Sequence, residues 1–419
     1  MIALGRIALA SLWSRRFTVA ITLLTITLSV TLFLGVDRLR DEARHSFLRS
    51  ASGIDLVIGA RAHPVQLLLY SVFGLGEATQ NLSWQAYQTL AAQPGIAWTV
   101  PIALGDSHQG YRVVGTTPDF FRHLRYGQGQ ELVFAAGGPF RQLHQAVVGA
   151  EVARRLGYVP GDAIVLAHGT ARHNPQAHDD QPFVIAGVLA ATGTPIDRAV
   201  YVDLPALEAI HLNWRSGTRI GRAPSLDAID PTTLQPRSVT AVYVGLDNRL
   251  GVFALQRWAN QYPDEALSAI LPGVALQQLW SLLGTAERAL DLTAAAVVVT
   301  GLLGLLAVLL ATLDERRREM AVLRAVGAGP RHVLALLLAE AVWLALKGTL
   351  LGYLLLQALC WAMAPWLQAH YGIMVGPSWP GLAELTRMAG VVLGAAVVGL
   401  VPAVLAYRRS VADGIQARS

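Results

Sequence analysis

Four long apolar stretches dominate this sequence, one near its start and three near its end. They cover residues 17–36, 292–313, 333–363 and 388–407. A helix of about 20 residues crosses a hydrocarbon layer about 30 Å thick, so each stretch is long enough to span a membrane. Its backbone finds no water partners in lipid, which makes a helix the expected structure. The sequence therefore predicts one span, a large inserted domain and three further spans.

Arginine is distributed unevenly around these stretches. Arg387 is the only lysine or arginine between the third and fourth spans, whereas the other segments that flank the spans on their expected cytoplasmic side are rich in arginine. Because positive residues favour the cytoplasmic side, we expect both termini and the 314–332 loop in the cytoplasm and residues 37–287 on the opposite side. The arginines of the expected cytoplasmic segments are Arg6, Arg15, Arg16, Arg316, Arg317, Arg318, Arg324, Arg331, Arg408, Arg409 and Arg418.

The two ends of the chain flank the membrane. Residues 1–16 are basic and apolar nearly all round, which predicts a cytoplasmic interfacial helix, with a plain basic lead-in as the alternative. The apolar run 17–36 exceeds the roughly 7–15 residues of a cleaved signal peptide, so we expect it to be retained as a span. Residues 408–419 are expected to form a cytoplasmic tail.

Residues 37–287 alternate between short strand-like and short helical segments. This alternation predicts an α+β domain. Its flanks, 38–50 and 274–291, have apolar residues at helical spacing, which predicts either paired stalk helices or plain extensions of the neighbouring spans. Turn formers in 213–237 predict a surface loop or flexible insertion. Strands are predicted at 54–58, 98–103, 111–115, 163–167, 183–189, 199–202 and 238–245, and helices at 84–92, 149–156, 204–211 and 249–261.

Motifs of catalysis and nucleotide binding are missing. The sequence has no G-x-S-x-G, H-E-x-x-H or C-x-x-C pattern, and its one lysine, Lys347, follows leucine rather than glycine, which excludes a Walker A loop. The one cysteine, Cys360, excludes an intrachain disulfide. The net charge of +5 is modest and does not suggest a nucleic-acid partner. We expect a non-catalytic membrane protein that binds no cofactor of its own, apart from the metal candidate below.

One polar cluster suggests metal binding. His168, His173 and His178 recur every five residues and are followed by Asp179 and Asp180. Imidazole and carboxylate groups suit zinc, so this loop is a candidate zinc site. A solvated polar hairpin in which histidine is merely tolerated is the alternative, since the spacing matches no established zinc motif.

The apolar stretches contain small and hydroxyl residues at helical spacing, which favour close helix packing. Glu340 and Lys347 are seven residues apart on one helix face, which predicts an ion pair or snorkelling to the interface. The packing candidates are Thr18, Thr22, Thr25 and Ser29 in the first span, Gly348 and Gly352 in the third, and Gly390 and Gly394 in the fourth.

Residues 315–330, ERRREMAVLRAVGAGP, resemble the loop between spans two and three of FtsX/MacB-type ABC transporter permeases, the mechanotransmission group that includes LolC, LolE and MacB. Residues 336–355 resemble their third helix, although Lys347 stands where a small residue is usual. The tail 402–415 is similar to the family's ending, with Val411 in place of a common proline and Asp413 near an acidic position. Residues 147–157 and 183–189 resemble parts of its periplasmic core domain.

The resemblance implies a mechanism. Two permease copies, identical or different, would pair in the bacterial inner membrane and bind a dimer of a cytoplasmic ABC ATPase, which holds ATP and magnesium. A periplasmic or lipoprotein partner would receive the resulting motion; a regulatory FtsX-like scaffold or a zinc-uptake component are the alternatives. Met320, Leu323 and Val326 suit insertion into a groove of the ATPase. The implied coupling residues are Glu315, Arg316, Arg317, Arg318, Glu319, Met320, Leu323, Arg324, Val326 and Gly327.

Overall fold

A computed structural model describes residues 16–50, 52–127, 129–168, 181–212, 214–215, 218–219, 234–313, 329–371 and 376–416. The chain divides into two compact units. The first, which we call the helical unit, comprises Met1–Glu42, Gly284–Trp366 and Val375–Ser419. The second, which we call the domain unit, comprises Ala43–Leu283 and Leu367–Met374.

Helices of two kinds occur in the described part of the chain: four are long and apolar, and the others are short. In chain order they are α1 (Arg16–Ser50), α2 (Pro64–Ser71), α3 (Trp84–Ala91), α4 (Asp119–His123), α5 (Ala150–Leu156), α6 (Leu204–His211), α7 (Val252–Asn260), α8 (Pro272–Ala311), α9 (Pro330–Tyr371) and α10 (Leu382–Gln416). Short 3-10 turns occupy Pro195–Arg198 and Arg249–Gly251.

The four long helices α1, α8, α9 and α10 are apolar and long enough to cross a membrane. Their most apolar windows have mean hydropathies between 1.8 and 2.6. Each of the four apolar stretches of the sequence falls on one of them, which confirms the predicted one-plus-three order of spans around an inserted domain. The candidate spans are Arg16–Glu42, Pro272–Ala311, Arg331–Leu367 and Leu382–Arg408.

Helices α1 and α8 are longer than one membrane crossing requires. Helix α1 continues to Ser50 and α8 begins at Pro272, so the predicted helical segments 38–50 and 274–291 are confirmed as helix. Each of these helices supplies residues to both units, because the division falls at residues 42/43 in α1 and 283/284 in α8. The chain therefore enters and leaves the domain unit along uninterrupted helices.

The described strands are β1 (Leu56–Ala60), β2 (Leu82–Ser83), β3 (Ile96–His108), β4 (Tyr111–Thr116), β5 (Arg125–Tyr126), β6 (Gln130–Glu131), β7 (Phe134–Gly137), β8 (Gln145–Val148), β9 (Ala163–Ile164), β10 (Ala167–His168), β11 (Phe183–Leu189), β12 (Ala199–Asp203), β13 (Trp214–Arg215), β14 (Thr218–Arg219), β15 (Ser238–Val239), β16 (Ala241–Leu246) and β17 (Leu267–Ile270). Eleven of them form one mixed sheet in the domain unit, with the order β17-β1-β16-β3-β4-β12-β8-β11-β7; β10 also pairs with β3, and β9 with β11. The pairs β4–β12 and β8–β11 are parallel.

Strand alternation divides the core between the two faces of the sheet. Leu56 and Ile58 of β1 pack in one apolar cluster, whereas Val57 between them packs in another. Successive side chains of a strand point to opposite faces, so both faces of β1 are buried. This confirms the predicted α+β domain, with helices covering an apolar sheet.

Strand β3 joins the two parts of this sheet. Its residues from Ile96 to Ile102 pair with β16, and those from Ala103 onward pair with β4. The register against β4 shifts between Leu104 and Ser107. Thr240, which separates β15 from β16, accepts the backbone N–H of Leu104 through its hydroxyl at 3.0 Å. The predicted strand 238–245 is therefore interrupted where it meets the bend of β3.

A buried histidine fixes the far end of β3. The Nδ1 atom of His108 lies 2.7 Å from the carbonyl oxygen of Val165, which accepts its proton. The Nε2 atom then accepts the Tyr158 hydroxyl proton at 2.8 Å. Burial lowers the pKa of His108, although the hydrogen bond to Val165 opposes the shift. The neutral imidazole thus holds β3 against the segment that follows α5.

Candidate functional site

The predicted ATPase-coupling residues, from Glu315 to Gly327, lie outside the described residues. The segment's two flanks are described. Leu313, just after α8, packs in a buried cluster with Val333 and Leu337 of α9 and with Ala403 and Ala406 of α10. Both ends of the 314–328 segment are therefore anchored on one apolar contact, which joins three of the long helices. We call this the loop-end cluster.

Helix α1 packs closely against α9 through two glycines. A Cβ atom at Gly348 would lie 2.6 Å from Ile26, and one at Gly352 would lie 2.9 Å from both the Thr27 carbonyl oxygen and Val30. Such distances are below ordinary van der Waals contact, so only glycine allows this approach of the two backbones. Thus, both predicted packing residues of the third span lie at this α1–α9 contact.

Two threonines of α1 that were not predicted as packing residues reach across this contact. The Thr27 hydroxyl lies 3.4 Å from the carbonyl oxygen of Gly348, and the Thr31 hydroxyl donates to the carbonyl oxygen of Gly352 at 3.0 Å. Thr31 also bonds the carbonyl of Thr27 in its own helix at 2.8 Å. The four-residue spacing of these threonines matches that of the glycines opposite, and this shared spacing is the signal that could have identified them.

Two residues of the predicted hydroxyl stripe of α1, Thr25 and Ser29, contact α8 instead. A Cβ atom at Gly301 would lie 2.7 Å from the Ser29 hydroxyl oxygen, and one at Gly304 would lie 3.8 Å from the Thr25 methyl group. The hydroxyls of Thr22 and Thr25 donate to carbonyls of their own helix, those of Thr18 and Ile21. Thr25 and Ser29 are therefore small side chains opposite glycines of α8.

The two glycines predicted in the fourth span differ from each other. A Cβ atom at Gly394 would lie 3.0 Å from the Leu302 side chain of α8, whereas one at Gly390 would have no heavy atom within 4 Å among the described residues. Gly399, not singled out by the sequence, would bring a Cβ to 2.6 Å from Ala341 of α9. The packing roles proposed for the span residues remain predictions of function.

A network of charged side chains joins the ends of the long helices nearest the domain unit in sequence. Arg40 of α1 donates to Asp291 of α8 at 2.8 Å and to Asp37 one turn earlier at 2.8 Å. Asp37 also pairs with Arg387 of α10. The Asp37 carboxylate is buried, so its two arginine partners supply the opposite charge that such a group requires. We call these residues, with Arg38, the domain-end network.

Arg38 extends the domain-end network to α9 and to the segment before α10. Its guanidinium donates to the Gln357 side chain at 3.2 Å, to the Gly376 carbonyl at 2.8 Å and to the Ser378 hydroxyl. Tyr353 donates to the Ser378 carbonyl oxygen at 2.6 Å. The domain-end network thus links α1 to all three of the other long helices.

Lys347 interacts with its own helix. Its Nζ atom lies 3.9 Å from the ring centroid of Trp343, one turn earlier. A cation over an indole face is attracted by the negative face of the ring, so the lysine has a partner despite its apolar surroundings. Glu340 is half-buried on the same helix and has a polar interaction of its own.

The candidate zinc residues are mostly outside the described part of the chain. His173, His178, Asp179 and Asp180 fall in the segment 169–180. The backbone of His168 belongs to strand β10, where it pairs with Asp106 of β3, so His168 starts from a sheet rather than from a free loop. Among the described residues, no group of three His, Cys, Asp or Glu side chains is placed to hold a metal. Zinc binding stays a prediction.

Comparison with known families gives two matches. The family described as "MacB-like periplasmic core domain" matches residues 19–248, which is more than half of the chain. The family described as "FtsX-like permease C-terminal" matches residues 292–412. No curated protein matches the chain significantly.

Two solved structures are similar to part of the chain. The periplasmic region of MacB from Actinobacillus actinomycetemcomitans is 10% identical with a TM-score of 0.33, and the match covers 56% of this chain and 97% of that one. The extracellular domain of the noncanonic ABC-type transporter YknZ from Gram-positive bacteria is 13% identical with a TM-score of 0.29, covering 52% and 98%.

Proposed function

This chain belongs to the FtsX/MacB-type family of ABC transporter permeases, and we propose that it transmits the work of a separate ATPase to its MacB-like periplasmic domain by moving α1 and α8. In this proposal the chain hydrolyses no ATP itself. It resides in a bacterial inner membrane with both termini in the cytoplasm, as a dimer of permease copies. A periplasmic substrate or lipoprotein partner responds to the domain.

The observation that carries this proposal is the continuity of α1 and α8. Each is one uninterrupted helix that supplies residues to both units. Consecutive backbone hydrogen bonds make a helix a stiff element, so displacement of its membrane part also displaces its other end. A hinge in these helices would absorb such motion, and the described helices have no break at which to place one.

A contiguous route leads from the expected ATPase contact to α1. It begins at the 314–328 segment, continues through the loop-end cluster into α9, and crosses to α1 at Gly348 and Gly352. Packed side chains and rigid helices are the physical elements through which sites couple. Because proximity alone does not demonstrate coupling, the route is tested with variants that disrupt one of its contacts and leave the others intact.

The first test measures the domain units of a paired complex during ATP binding. In a Cys360→Ser background, Leu250→Cys places a spin label on a side chain that is 87% exposed. Labels in the two copies of the permease should change their mutual distance when ATP is added to the complex with its ATPase. An unchanged distance distribution in a complex that hydrolyses ATP would reject mechanotransmission.

The second test separates ATPase binding from transmission. Leu323→Asp places a charge in the expected apolar dock, which costs roughly 2–4 kcal/mol, so the ATPase should fail to co-purify. Gly352→Leu should keep the ATPase bound but abolish the distance change, because the α1–α9 contact has no room for a side chain. Gly390→Leu is the matched control, since the space around that glycine is open. A normal distance change in Gly352→Leu would exclude this contact from the route.

A further inference from the structure

A short segment between α9 and α10 presents an exposed tryptophan. Trp379 is 94% exposed, and Leu382, the first residue of α10, is 81% exposed. Neither residue belongs to the packing contacts or to the domain-end network described above. Two large apolar side chains therefore lie open at neighbouring positions in the helical unit.

The exposed apolar surface continues from this segment along α10. Leucine and valine side chains follow one another at steps of three, four or eight residues, which places them on one face of the helix. They are Leu382, Leu385, Leu393, Val397, Leu400 and Val404, all exposed. The candidate span of α10 begins at Leu382, so Trp379 comes three residues before an apolar face suited to contact with lipid.

Two further tryptophans are exposed where the preceding span ends. They are Trp361 and Trp366 of α9, and the candidate span of α9 ends at Leu367. Tryptophan is enriched where hydrocarbon meets water, because its ring combines a broad apolar body with one N–H donor. Trp361, Trp366 and Trp379 thus have the positions in the chain that this boundary favours.

The residues before Trp379 are fixed to two long helices by hydrogen bonds. Arg38 of α1 donates to the Gly376 carbonyl oxygen at 2.8 Å and to the Ser378 hydroxyl. The Gln357 side chain of α9 accepts the Ser378 N–H at 3.3 Å and donates to the Ser378 carbonyl oxygen at 2.6 Å. The backbone on this side of the tryptophan is therefore held in place.

The residues after Trp379 are also constrained. Pro380 restricts the backbone of the tryptophan to extended conformations. The Gly381 N–H donates to the Glu384 carboxylate at 3.2 Å, which caps the start of α10. Trp379 is therefore presented by a preorganised segment, which reduces the entropic cost of binding a partner.

We propose that residues 376–382, which we call the tryptophan loop, anchor the permease at the membrane surface, where Trp379 and Leu382 bind the boundary between phospholipid headgroups and acyl chains. Lipid fits this surface because it continues into the apolar face of α10 and because residues 376–383 contain no charged side chain that would select a protein partner. Since Arg38 belongs to α1, the anchor is attached to the helix that the proposed transmission sets in motion. The inference goes beyond that proposal, because lipid binding requires neither ATP nor the ATPase.

The test measures the depth of the tryptophan loop in the full chain, without ATPase, in nanodiscs of phosphatidylcholine and phosphatidylglycerol. In the Cys360→Ser background, Gly381→Cys places a spin label where an added Cβ has no heavy atom within 4 Å. Collisions of the label with oxygen, which concentrates in lipid, are compared with collisions with a water-soluble nickel complex. The ratio should lie between that of Leu393→Cys, within the span of α10, and that of Leu250→Cys, on the domain unit.

Two variants and one change of medium identify what holds the loop. Trp379→Ala should shift the ratio at Gly381→Cys toward that of Leu250→Cys, because alanine has little apolar surface to bury. Trp379→Tyr should retain most of the intermediate ratio, since tyrosine also favours the interface. Transfer from nanodiscs to an amphipathic polymer, which has no headgroup layer, should raise the nickel collisions at Gly381→Cys and leave those at Leu250→Cys unchanged.

Each opposing outcome overturns the proposal. A ratio at Gly381→Cys equal to that of Leu250→Cys would place the tryptophan loop in water. An unchanged ratio in Trp379→Ala would show that the tryptophan is not the anchor. Few collisions with either reagent, in nanodiscs and polymer alike, would show that protein, such as a second copy of the chain, covers the loop.

Discussion

Helix α1 is held in the helical unit by two different kinds of contact. In mid-helix it meets α9 through Gly348 and Gly352, where carbonyl groups and small atoms lie too close for any side chain. Near residue 40 it is held by the domain-end network, through charge pairs and hydrogen bonds. The first contact depends on shape and tolerates no added volume. The second depends on pairing, so its bonds can exchange partners while the helices stay in place. If α1 moves as proposed above, the shape contact would guide it and the exchangeable pairs would keep it attached.

The largest effect is expected from breaking the charge pairing. Asp37→Ala leaves the guanidinium groups of Arg40 and Arg387 without their shared buried acceptor. Removing one partner of a largely buried ion pair costs about 3 kcal/mol, so the midpoint of thermal unfolding of the helical unit should fall clearly. Asp41→Ala is the control, because Asp41 is exposed and its carboxylate lies 3.8 Å from Arg40, farther than the 2.8 Å of the Arg40–Asp37 pair. Equal losses in both variants would mean that burial of Asp37 contributes nothing.

The next effect is expected from overfilling the shape contact. Gly352→Leu forces α1 and α9 apart and should cost about 2 kcal/mol in unfolding free energy. Gly390→Leu should change it by less than about 0.5 kcal/mol, since the site is open. Thermal unfolding of the two purified variants side by side measures the difference. Comparable stability of the two would show that α9 shifts easily and that the contact is not steric.

The domain unit is expected to have an acid sensitivity of its own, which must be separated from that of the two α1 contacts. The pKa of His108 is lowered by burial, so the unfolded chain binds its proton more readily than the folded chain. The stabilisation is complete above a pH of about 6.5 and is lost as the pH falls through the lower folded-state pKa. Wild type should therefore lose domain stability with acid, whereas His108→Gln should show a flatter profile between pH 7 and pH 5. Parallel profiles for the two proteins would exclude His108 as the titrating group.

The smallest effect is expected at a single hydroxyl of the shape contact. Thr31→Val keeps the side-chain volume but removes the hydrogen bond to the Gly352 carbonyl. Hydrogen bonds between membrane helices contribute about 0.6 kcal/mol on average, so only a small drop in unfolding free energy should be measurable. Thr25→Val serves as control, because that hydroxyl donates to the Ile21 carbonyl of its own helix. A loss above that of Gly352→Leu would mean that polarity rather than shape dominates mid-helix.

The sequence predicted the parts of the fold that local pattern determines. Apolar length identified the four spans, and β-branched or amphipathic runs identified β11 and α6 with their observed bounds. Helix α2 was missed because its residues, PVQLLLYS, are apolar without a clear period, and β17 because four residues carry little pattern. The helix instead starts from a His63 cap followed by proline, a combination that marks a helix start only weakly.

The candidate site was predictable only in part. Glycine spacing located Gly348 and Gly352, because close helix packing requires small residues on one face. Asp37 and Arg387 were not paired from the sequence, since 350 positions separate them and no local rule joins them. A stripe on α1 likewise does not indicate which neighbouring helix it meets, so the sequence did not assign Thr25 and Ser29 to α8. Thr27 and Thr31 lie outside that stripe and were overlooked, although their spacing matches that of Gly348 and Gly352.

The order of strands in the sheet has a consequence for how this protein is made. Strand β1 forms early in the chain, yet both of its neighbours come late: Leu56 pairs with Val244, and Ala60 pairs with Leu267. During synthesis the first strand therefore leaves the ribosome long before either partner exists. Contacts between residues so distant in sequence form slowly, and unpaired strand edges are prone to aggregation while they wait. Both edges of β1 therefore stay without their native partners until residue 270 has emerged, which makes the order of strands a demand on how this domain is synthesised.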